Sequence, residues 1–456
     1  MLQASLAGGP TVHPDATAVP FFGWDPLWVS TALLIATYVA IMTERVNRAI
    51  VAGLAASLMV ALRVLTQDQA IAGVDFNTIM LLAGMMIIVG VTRRSGMFQY
   101  LAIWTAKRAR GHPAGILVAL AIATAAMSAL LDNVTTVLLI VPVTLALTNQ
   151  LQVPPYPFLV AEVLASNIGG TATLIGDPPN IMIGSVVGLT FNQFVVNLAP
   201  IVLVILLITA LILHFHWGRA LRADAKHRER VLSLNEREAI TDPVLLRQSL
   251  AVLGPVILGF ALARTLQLEP GTIAMFGAAV LVFLDNWAHP AEHQAERVHR
   301  TFGEVEWITL FFFIGLFVVV AGVERAGLLD ILGRRLLAAT GGDLAVTTLA
   351  VLWASALLSA VIDNIPFVAT MIPLIQGLAP AFGGAAAIEP LWWALALGAC
   401  LGGNGTLIGA SANLTVAGLA ERAGVRFRFW TYTRTAFPIM LLSIAIAHIY
   451  LWWRYL

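Results

Sequence analysis

Charged residues are scarce in this chain of 456 residues. Only 11% of them are Asp, Glu, Lys or Arg, whereas a soluble domain carries about 25%. Hydrophobic residues make up 59% of the chain, and its mean hydropathy is +0.87. So little charge excludes a soluble domain as the main body of the chain. Apolar runs long enough to cross a bilayer recur from Trp28 to Trp453, which predicts a polytopic helical membrane protein rather than a barrel.

Several chemical groups are also missing. Cys400 is the single cysteine, which excludes disulfides within the chain and a thiolate metal cluster. The net charge is +1 and no basic block is interleaved with aromatics, so no nucleic-acid partner is predicted. The sequence contains no P-loop, no HExxH and no Ser/His/Asp set, which argues against an ATP-driven pump in this chain and against an enzyme. The histidines of the loop 289–299 lack a defined ligand set, so neither a metal nor a cofactor is predicted.

Ten apolar segments are predicted to cross the membrane, and two further pairs to form hairpins that enter and return on one side. The crossing segments lie near 27–43, 49–65, 77–92, 157–190, 194–217, 249–264, 271–287, 307–322, 390–420 and 436–454. The hairpins comprise 113–131 with 134–150, and 344–362 with 365–380.

The distribution of basic residues orients these segments. If the polar loop 218–248 is cytoplasmic, alternation places 20 of the 26 lysines and arginines inside, as the positive-inside rule requires. This split holds only if neither hairpin crosses. We therefore expect an extracytoplasmic tail at 1–26, a first transmembrane repeat at 27–217, a cytoplasmic linker at 218–248 and a second, inverted repeat at 249–456. Both termini are then extracytoplasmic, and the membrane is the cell inner membrane.

The chain repeats itself. SALLDNVTTVLLIVP at 128–142 aligns with SAVIDNIPFVATMIP at 359–373, and GGTATLIGDPPN at 169–180 aligns with GGNGTLIGASAN at 402–413. Five predicted crossings separate the two copies, so they are inverted with respect to the membrane. Inverted repeats of interrupted helices are typical of secondary transporters, whose site lies near the midplane between the repeats.

The repeated motifs place polar and helix-breaking residues inside apolar segments. Asp-Asn closes each hairpin, and both residue types cap helix N-termini. Glycines and prolines interrupt the second motif, and a broken helix is tolerated in a membrane only where its backbone faces protein or water. Because a buried ionisable group costs several kcal/mol unless it is partnered, three aspartates are the candidates for proton coupling, and Glu162 is a less certain fourth. These candidates are Asp132, Asp177 and Asp363.

Neither motif contains lysine or arginine. A multiply charged anion would need cationic partners or several helix N-termini at such a site, whereas a proton, another cation or a neutral polyol-like solute would not. The second copy keeps Thr406 and Asn413 but has Ala410 in place of Asp177, so the two halves have diverged in charge.

The motifs LLDNVTTVLLIVPVT, NIGGTATLIGDPPNIMI, SALLSAVIDNIPFVATMIP and GACLGGNGTLIGASAN resemble those of the ArsB/NhaD permease family of the ion transporter superfamily, and in particular its melanosomal P protein branch. The resemblance implies an all-α fold with an inverted repeat of five crossing helices each, two re-entrant hairpins and two discontinuous helices. It also implies a set of substrate- and ion-binding residues. These are Asp132, Asn133, Thr135, Asn167, Gly170, Thr171, Asp177, Asn180, Asp363, Asn364, Gly403, Asn404, Thr406 and Asn413.

Four functions remain open from the sequence. The first is proton-coupled efflux of arsenite or antimonite by alternating access, which would confer arsenical resistance. The alternatives are a sodium/proton antiporter, an organic or inorganic anion transporter and, from another class, a channel. The Ser-Asn-Thr tips of sodium-coupled dicarboxylate carriers are replaced here by Asp-Asn-Val and Asp-Asn-Ile, which argues against dicarboxylates. The expected partners are the solute, protons or sodium, the lipid bilayer and a second protomer, and an ATPase subunit is left open.

Overall fold

The computed structural model describes residues 23–43, 45–287 and 289–456, so most of the tail expected at 1–26 lies outside the described residues. Within these ranges the chain is helical. The first half contains α1 (Pro26–Met42), α2 (Arg48–Ala61), α3 (Gln67–Ala72), α4 (Phe76–Arg93), α5 (Met97–Arg108), α6 (Pro113–Ser128), α7 (Asn133–Leu151), α8 (Tyr156–Gly170), α9 (Pro178–Val187) and α10 (Phe191–Leu213). The linker contains α11 (Ala225–Leu232). The second half contains α12 (Pro243–Leu266), α13 (Pro270–Trp287), α14 (Ala291–Gly303), α15 (Trp307–Arg325), α16 (Leu328–Ala339), α17 (Leu344–Ser359), α18 (Asn364–Leu378), α19 (Glu389–Gly402), α20 (Ser411–Arg422) and α21 (Phe429–Tyr455).

This architecture confirms a polytopic all-α membrane protein. Among the described residues, 8 helices are long and apolar enough to cross a membrane, or 9 if the bent pair α16 and α17 forms one span. The hairpins expected from the sequence are α6 with α7 and α17 with α18. The expected discontinuous helices are α8 with α9 and α19 with α20, which are separated by breaks at 171–177 and 403–410.

Two helices begin earlier than the sequence predicts. Helix α12 begins at Pro243, inside the expected linker, because Asp242 accepts hydrogen bonds from the backbone N–H groups of Val244 and Leu245 and so caps a polar first turn. Helix α21 begins at Phe429 rather than near 436. Hydropathy alone places the start of such a helix too far along the sequence, because its first turns carry polar and basic residues.

Two short helices that the hydropathy pattern did not predict precede the hairpins. Helices α5 and α16 begin after Gly96 and Gly327, whose φ angles of 81° and 84° lie in the left-handed region that glycine adopts without strain. Each helix turns the chain away from a crossing segment before the hairpin begins. The two glycines are equivalent in the repeat, so the same turn is built twice.

The hydrogen bonds that hold each hairpin to its broken helix are repeated as well. The hydroxyl of Ser128 donates to the carbonyl oxygen of Ser166 at 2.6 Å. In the second half, Ser359 donates to the carbonyl oxygen of Ala399 at 2.6 Å. Each half therefore packs its hairpin against its own broken helix in the same way.

The two halves are joined by packing helices of one half against helices of the other. Helix α4 lies against α13, and α15 lies against α2. A Cβ atom added to Gly84 would lie 2.6 Å from the backbone carbon of Ala274, and one added to Gly315 would lie 2.7 Å from that of Ala52. The absence of a side chain at these two equivalent positions lets the helix backbones approach closely.

The linker is docked on the end of the first half. Lys107 of α5 donates to Glu236 at 2.5 Å and to the carbonyl oxygen of Leu234 at 3.0 Å. The neighbouring ammonium group of Lys107 holds the pKa of Glu236 below its ordinary value. The backbone N–H of Thr241 donates to Ser95 at 3.0 Å, so both ends of this segment are fastened to the turn around α5.

Two equivalent asparagines support the backbone at the breaks. The side-chain amide of Asn180 donates to the carbonyl oxygens of Thr171 and Thr173 at 3.1 and 2.9 Å. That of Asn413 donates to Gly403 and Thr406 at 2.8 and 2.9 Å. Carbonyls that a broken helix leaves unpaired are thus satisfied from the next helix, as burial requires.

Replacing Gly84 or Gly315 by alanine is predicted to lower the free energy of unfolding by about 1–3 kcal/mol, because the added methyl group overlaps a helix backbone. The midpoint of thermal unfolding in detergent measures the effect. Gly254 is the matched control, since it is also a helical glycine but has no atom within 4 Å of an added Cβ. Equal midpoints for Gly84→Ala, Gly254→Ala and the parent would contradict the packing described here.

Replacing Asn180 or Asn413 by alanine is predicted to cost about 1–3 kcal/mol each, because buried carbonyl oxygens lose their donors. Unfolding of the purified variants in denaturant measures this cost. Asn149 is exposed and accepts only from Gln152, so Asn149→Ala is the control and should be neutral. Similar stabilities for all three variants would argue against a supporting role for Asn180 and Asn413.

Candidate functional site

The two hairpin tips meet the two breaks in the middle of the protein. Asp132 accepts a hydrogen bond from the backbone N–H of Thr135 at 2.8 Å and so caps α7. Asp363 accepts from the backbone N–H of Ile365 at 3.1 Å and caps α18. The capping predicted for the Asp-Asn motifs is therefore present at both tips.

A network of buried amides connects the halves. Asn167 lies at its centre on α8, and its side-chain oxygen accepts from Asn133 of the first hairpin at 3.1 Å. The side-chain nitrogen of Asn167 donates to Asn404 and Asn413 of the second half, both at 2.9 Å. All four residues are buried. The candidate residues of the two repeats thus form one polar cluster rather than two.

Asp177 lies within this cluster, fully buried. One carboxylate oxygen accepts from the amides of Asn133 and Asn364, each at 3.3 Å. The other has no hydrogen-bond partner among the described residues. None of the ion pairs formed by the described part of the chain includes Asp177. Its carboxyl group is therefore held by one amide from each hairpin, and no cation of residues 23–43, 45–287 and 289–456 forms an ion pair with it.

The remaining candidates contribute mainly to the local backbone. The hydroxyl of Thr171 donates to the carbonyl oxygen of Asn167 at 2.7 Å, and that of Thr406 donates to Ala360 at 2.5 Å. Gly170 and Gly403 provide carbonyl oxygens that accept from Asn180 and Asn413. These groups position the break residues, and their polar side chains are already engaged within the protein.

Arg48 is the residue that the sequence motifs did not reveal. It is the first residue of α2, far from both motifs along the chain, yet its guanidinium group lies 3.2 Å from Asp363 and also donates to Ser411. Ser411 in turn donates to the same Asp363 oxygen at 2.8 Å. The guanidinium also lies 5.0 Å from the ring centre of Phe312. A cation is therefore present at the site, although neither motif supplies one.

Arg48 lies between two cavities. An open cavity of about 410 Å³ reaches the site from the end of the molecule that carries Asn47 and Glu306. A second, narrow cavity of about 20 Å³ is lined by Asp132, Thr135 and Asp177. Arg48, Glu306, Thr309 and Ser411 line both cavities. Arg48, which is paired with Asp363, and its neighbour Ser411 therefore lie between the open cavity and the narrow cavity that Asp177 lines.

Two other groups singled out from the sequence lie beside this network. Glu162 is buried on α8, where one of its oxygens accepts from the hydroxyl of Thr144. Cys400 is buried, and its thiol donates to the side-chain oxygen of Asn180 at 3.5 Å. Among the described residues, no group of three or more His, Cys, Asp or Glu side chains could hold a metal ion.

Known proteins share this sequence over nearly its whole length. Residues 38–398 match the CitMHS family, whose description is citrate transporter. An uncharacterised transporter of Mycobacterium tuberculosis is 44% identical over 94% of this chain and 98% of its own. The P protein of Sus scrofa is 34% identical over 93% of this chain and 60% of its own.

A solved structure shares the fold. The YdaH transporter of Alcanivorax borkumensis superposes with a TM-score of 0.58 over 94% of this chain and 99% of its own, at 13% sequence identity. The relatives confirm the similarity to P proteins and the assignment as a membrane transporter, while the closer kinship with ArsB/NhaD permeases stays a prediction. The protein is a multi-pass membrane transporter, and it belongs to the CitMHS citrate transporter family.

Proposed function

We propose that this protein is a secondary active transporter that couples the movement of a small carboxylate solute to protons, with Asp177 as the coupling group. The observation that carries the proposal is the setting of Asp177, which is buried, bound by one amide from each hairpin and unpaired with any cation of the described residues. An ionised carboxylate in such a place is costly unless a proton, another cation or water accompanies it.

Through its hydrogen bonds to Asn133 and Asn364, the charge of Asp177 affects how both hairpins are held. The ionised group can accept the amides of Asn133 and Asn364 together on one oxygen, because a carboxylate oxygen carries more than one lone pair. Protonation removes the negative charge and weakens both charge-assisted hydrogen bonds. Uptake or release of one proton would therefore change how firmly the tip of each hairpin is held to α9.

The inverted repeat supports alternating access around this centre. In such folds two mirrored elements provide the two access states, and the site stays near the midplane. The cavity at Asn47 and Glu306 lies toward the end of the protein that carries the basic linker, because Glu304 pairs with Arg93 and the linker residue Thr241 donates to the neighbouring Arg94. We infer from the positive-inside rule that this end faces the cytoplasm, which places both termini outside the inner membrane and gives 27–217 and 249–456 as the two repeats.

Arg48 favours a carboxylate as the solute. Its guanidinium group matches the geometry of a carboxylate, and it lies at the base of the open cavity. The citrate description of the family agrees in chemical class. Since Glu306, Asp132 and Asp177 also line the cavities, an anion would have to enter together with protons or other cations.

A second candidate solute is arsenite or antimonite, carried outward in exchange for protons. Six buried asparagines favour it, since their neutral amides can hydrogen-bond a trihydroxy solute without a fixed charge. They are Asn133, Asn167, Asn180, Asn364, Asn404 and Asn413. The absence of basic residues from the sequence motifs favours a neutral solute, whereas the presence of Arg48 at the site argues against it.

Asp177→Asn is predicted to abolish proton-driven uptake into everted vesicles while the protein still reaches the membrane, because the amide cannot exchange a proton. The measurement is solute accumulation with and without an imposed pH gradient. Asp330 is exposed on α16, so Asp330→Asn provides a carboxylate-to-amide control that should retain full accumulation. Gradient-dependent accumulation by Asp177→Asn would refute the coupling role. Sodium that replaces the pH gradient as driving force in the parent would instead favour sodium coupling.

A panel of citrate, succinate, arsenite and antimonite, tested on the purified protein in liposomes, is predicted to separate the two solute classes. Arg48→Gln should reduce uptake of a carboxylate by tenfold or more, since a charge-assisted contact of about 1.5–3 kcal/mol is lost. Uptake of neutral arsenite should change little. Arsenite transport without any carboxylate transport would exclude the first proposal in favour of the second. A single-channel conductance in planar bilayers would exclude both.

A further inference from the structure

The surroundings of Arg48 form a compact recognition site. Its guanidinium group contacts Asp363 at 3.2 Å, Thr309 at 3.4 Å and the hydroxyl of Ser411. Asp363 and Ser411 are joined to each other at 2.8 Å. The side chains of Arg48 and Asp363 are 25% and 12% exposed, so the pair borders the open cavity without being freely solvated. A cation and a hydroxyl donor thus hold a carboxylate at the base of a cavity.

We propose that Arg48, Ser411 and Thr309 form a solute-recognition site for a carboxylate at the base of this cavity, and that Asp363 occupies the site as an internal substitute for the solute. The inference rests on the proposed transport function, and it adds a second site that is distinct from the coupling group Asp177. A solute carboxylate that binds here replaces the carboxylate of Asp363 on the guanidinium and the hydroxyl.

The exchange has a mechanical consequence. One oxygen of Asp363 caps α18 by accepting from Ile365, and the other accepts from Arg48 and Ser411. Only the second oxygen has to be released, so the cap of α18 stays intact. Release of this oxygen breaks the contacts of the second hairpin tip with Arg48 of α2 and Ser411 of α20. The passage between the open cavity and Asp177 then opens in response to solute.

Within the described residues, Ser411 and Thr309 have no counterparts in the first half that could contribute to such a site. The residue equivalent to Ser411 is Pro178, which has no donor, and the residue equivalent to Thr309 is Thr78. The hydroxyl of Thr78 donates to Asp75 at 2.6 Å within the cap of α4, and is therefore engaged locally. Arg48 of the first half thus meets a hydroxyl and a carboxylate at the hairpin tip and break of the second half, whereas the break of the first half carries Asp177, which forms no ion pair among the described residues.

The start of α20 adds to the charge at this place. Ser411 is the first residue of that helix, and its N-cap residue, Ala410, has no side chain that could accept from the first N–H groups. The N-terminal end of a helix carries a partial positive charge that favours anions. It reinforces the cationic group of Arg48 on the same side of the cavity.

The test uses a cysteine placed in the open cavity. Thr415 lines that cavity, and replacing the native cysteine in Cys400→Ala leaves Thr415→Cys as the single thiol for a charged methanethiosulfonate reagent. Citrate is the probe, and its protection of this thiol from labelling is measured in the full-length protein in detergent.

We expect citrate to protect Thr415→Cys when the rest of the site is unchanged. In Asp363→Asn the concentration for half-protection should fall about fivefold, as expected for the loss of a competing ion pair worth up to about 1 kcal/mol. In Arg48→Gln protection should be lost.

Arg300→Gln is the matched control, because it removes an exposed arginine that pairs with Glu296 away from the cavity, and it should leave protection unchanged. Equal protection in Arg48→Gln and the parent would overturn the proposal, as would a half-protecting concentration that rises in Asp363→Asn. Failure to label Thr415→Cys at all would also contradict it, since the cavity would then not be open. The labelling needs no proton gradient, so its outcome is independent of whether Asp177 couples transport to protons.

Discussion

The carboxyl group of Asp177 is the constraint on which the rest of the site depends. It lies in the middle of a membrane protein, fully buried, between the amides of Asn133 and Asn364. No cation of the described residues pairs with it, so its ionised form is costly unless a proton, another cation or water accompanies it. The two amides come from opposite halves of the chain. A change in the charge of Asp177 therefore alters a hydrogen bond to each half.

The duplicated fold explains how such a group can be held there. Each half supplies a hairpin whose tip is capped by aspartate and a broken helix whose free carbonyls are satisfied by asparagine, Asn180 or Asn413. The amide of Asn167 joins the two breaks directly. The two copies differ at the start of the second half-helix. The first has the carboxylate of Asp177, and the second has Ser411, which contacts Arg48.

Much of this could be predicted from the sequence, because the relevant signals are local. Asp-Asn between apolar runs predicts a capped turn, and glycines followed by Pro178 predict a break. The predicted positions of the hairpins and of the discontinuous helices therefore agree with the structure. The helices α5 and α16 were missed because they are short and each contains charged residues, such as Lys107 and Arg334. Arg48 was missed for a different reason: its contact with Asp363 joins distant parts of the chain, and no local pattern encodes it. An inference about solute charge from the motifs alone was therefore incomplete.

The most direct test of the central claim is infrared difference spectroscopy of the purified protein, which follows the carboxyl C=O stretching band as solute is added at constant pH. If solute binding and the protonation of Asp177 are linked, solute should change this band in the parent protein and leave it unchanged in Asp177→Asn. A band change of the same size in Asp177→Asn would show that another group carries the proton. No band change in either protein would contradict coupling through a buried carboxyl group.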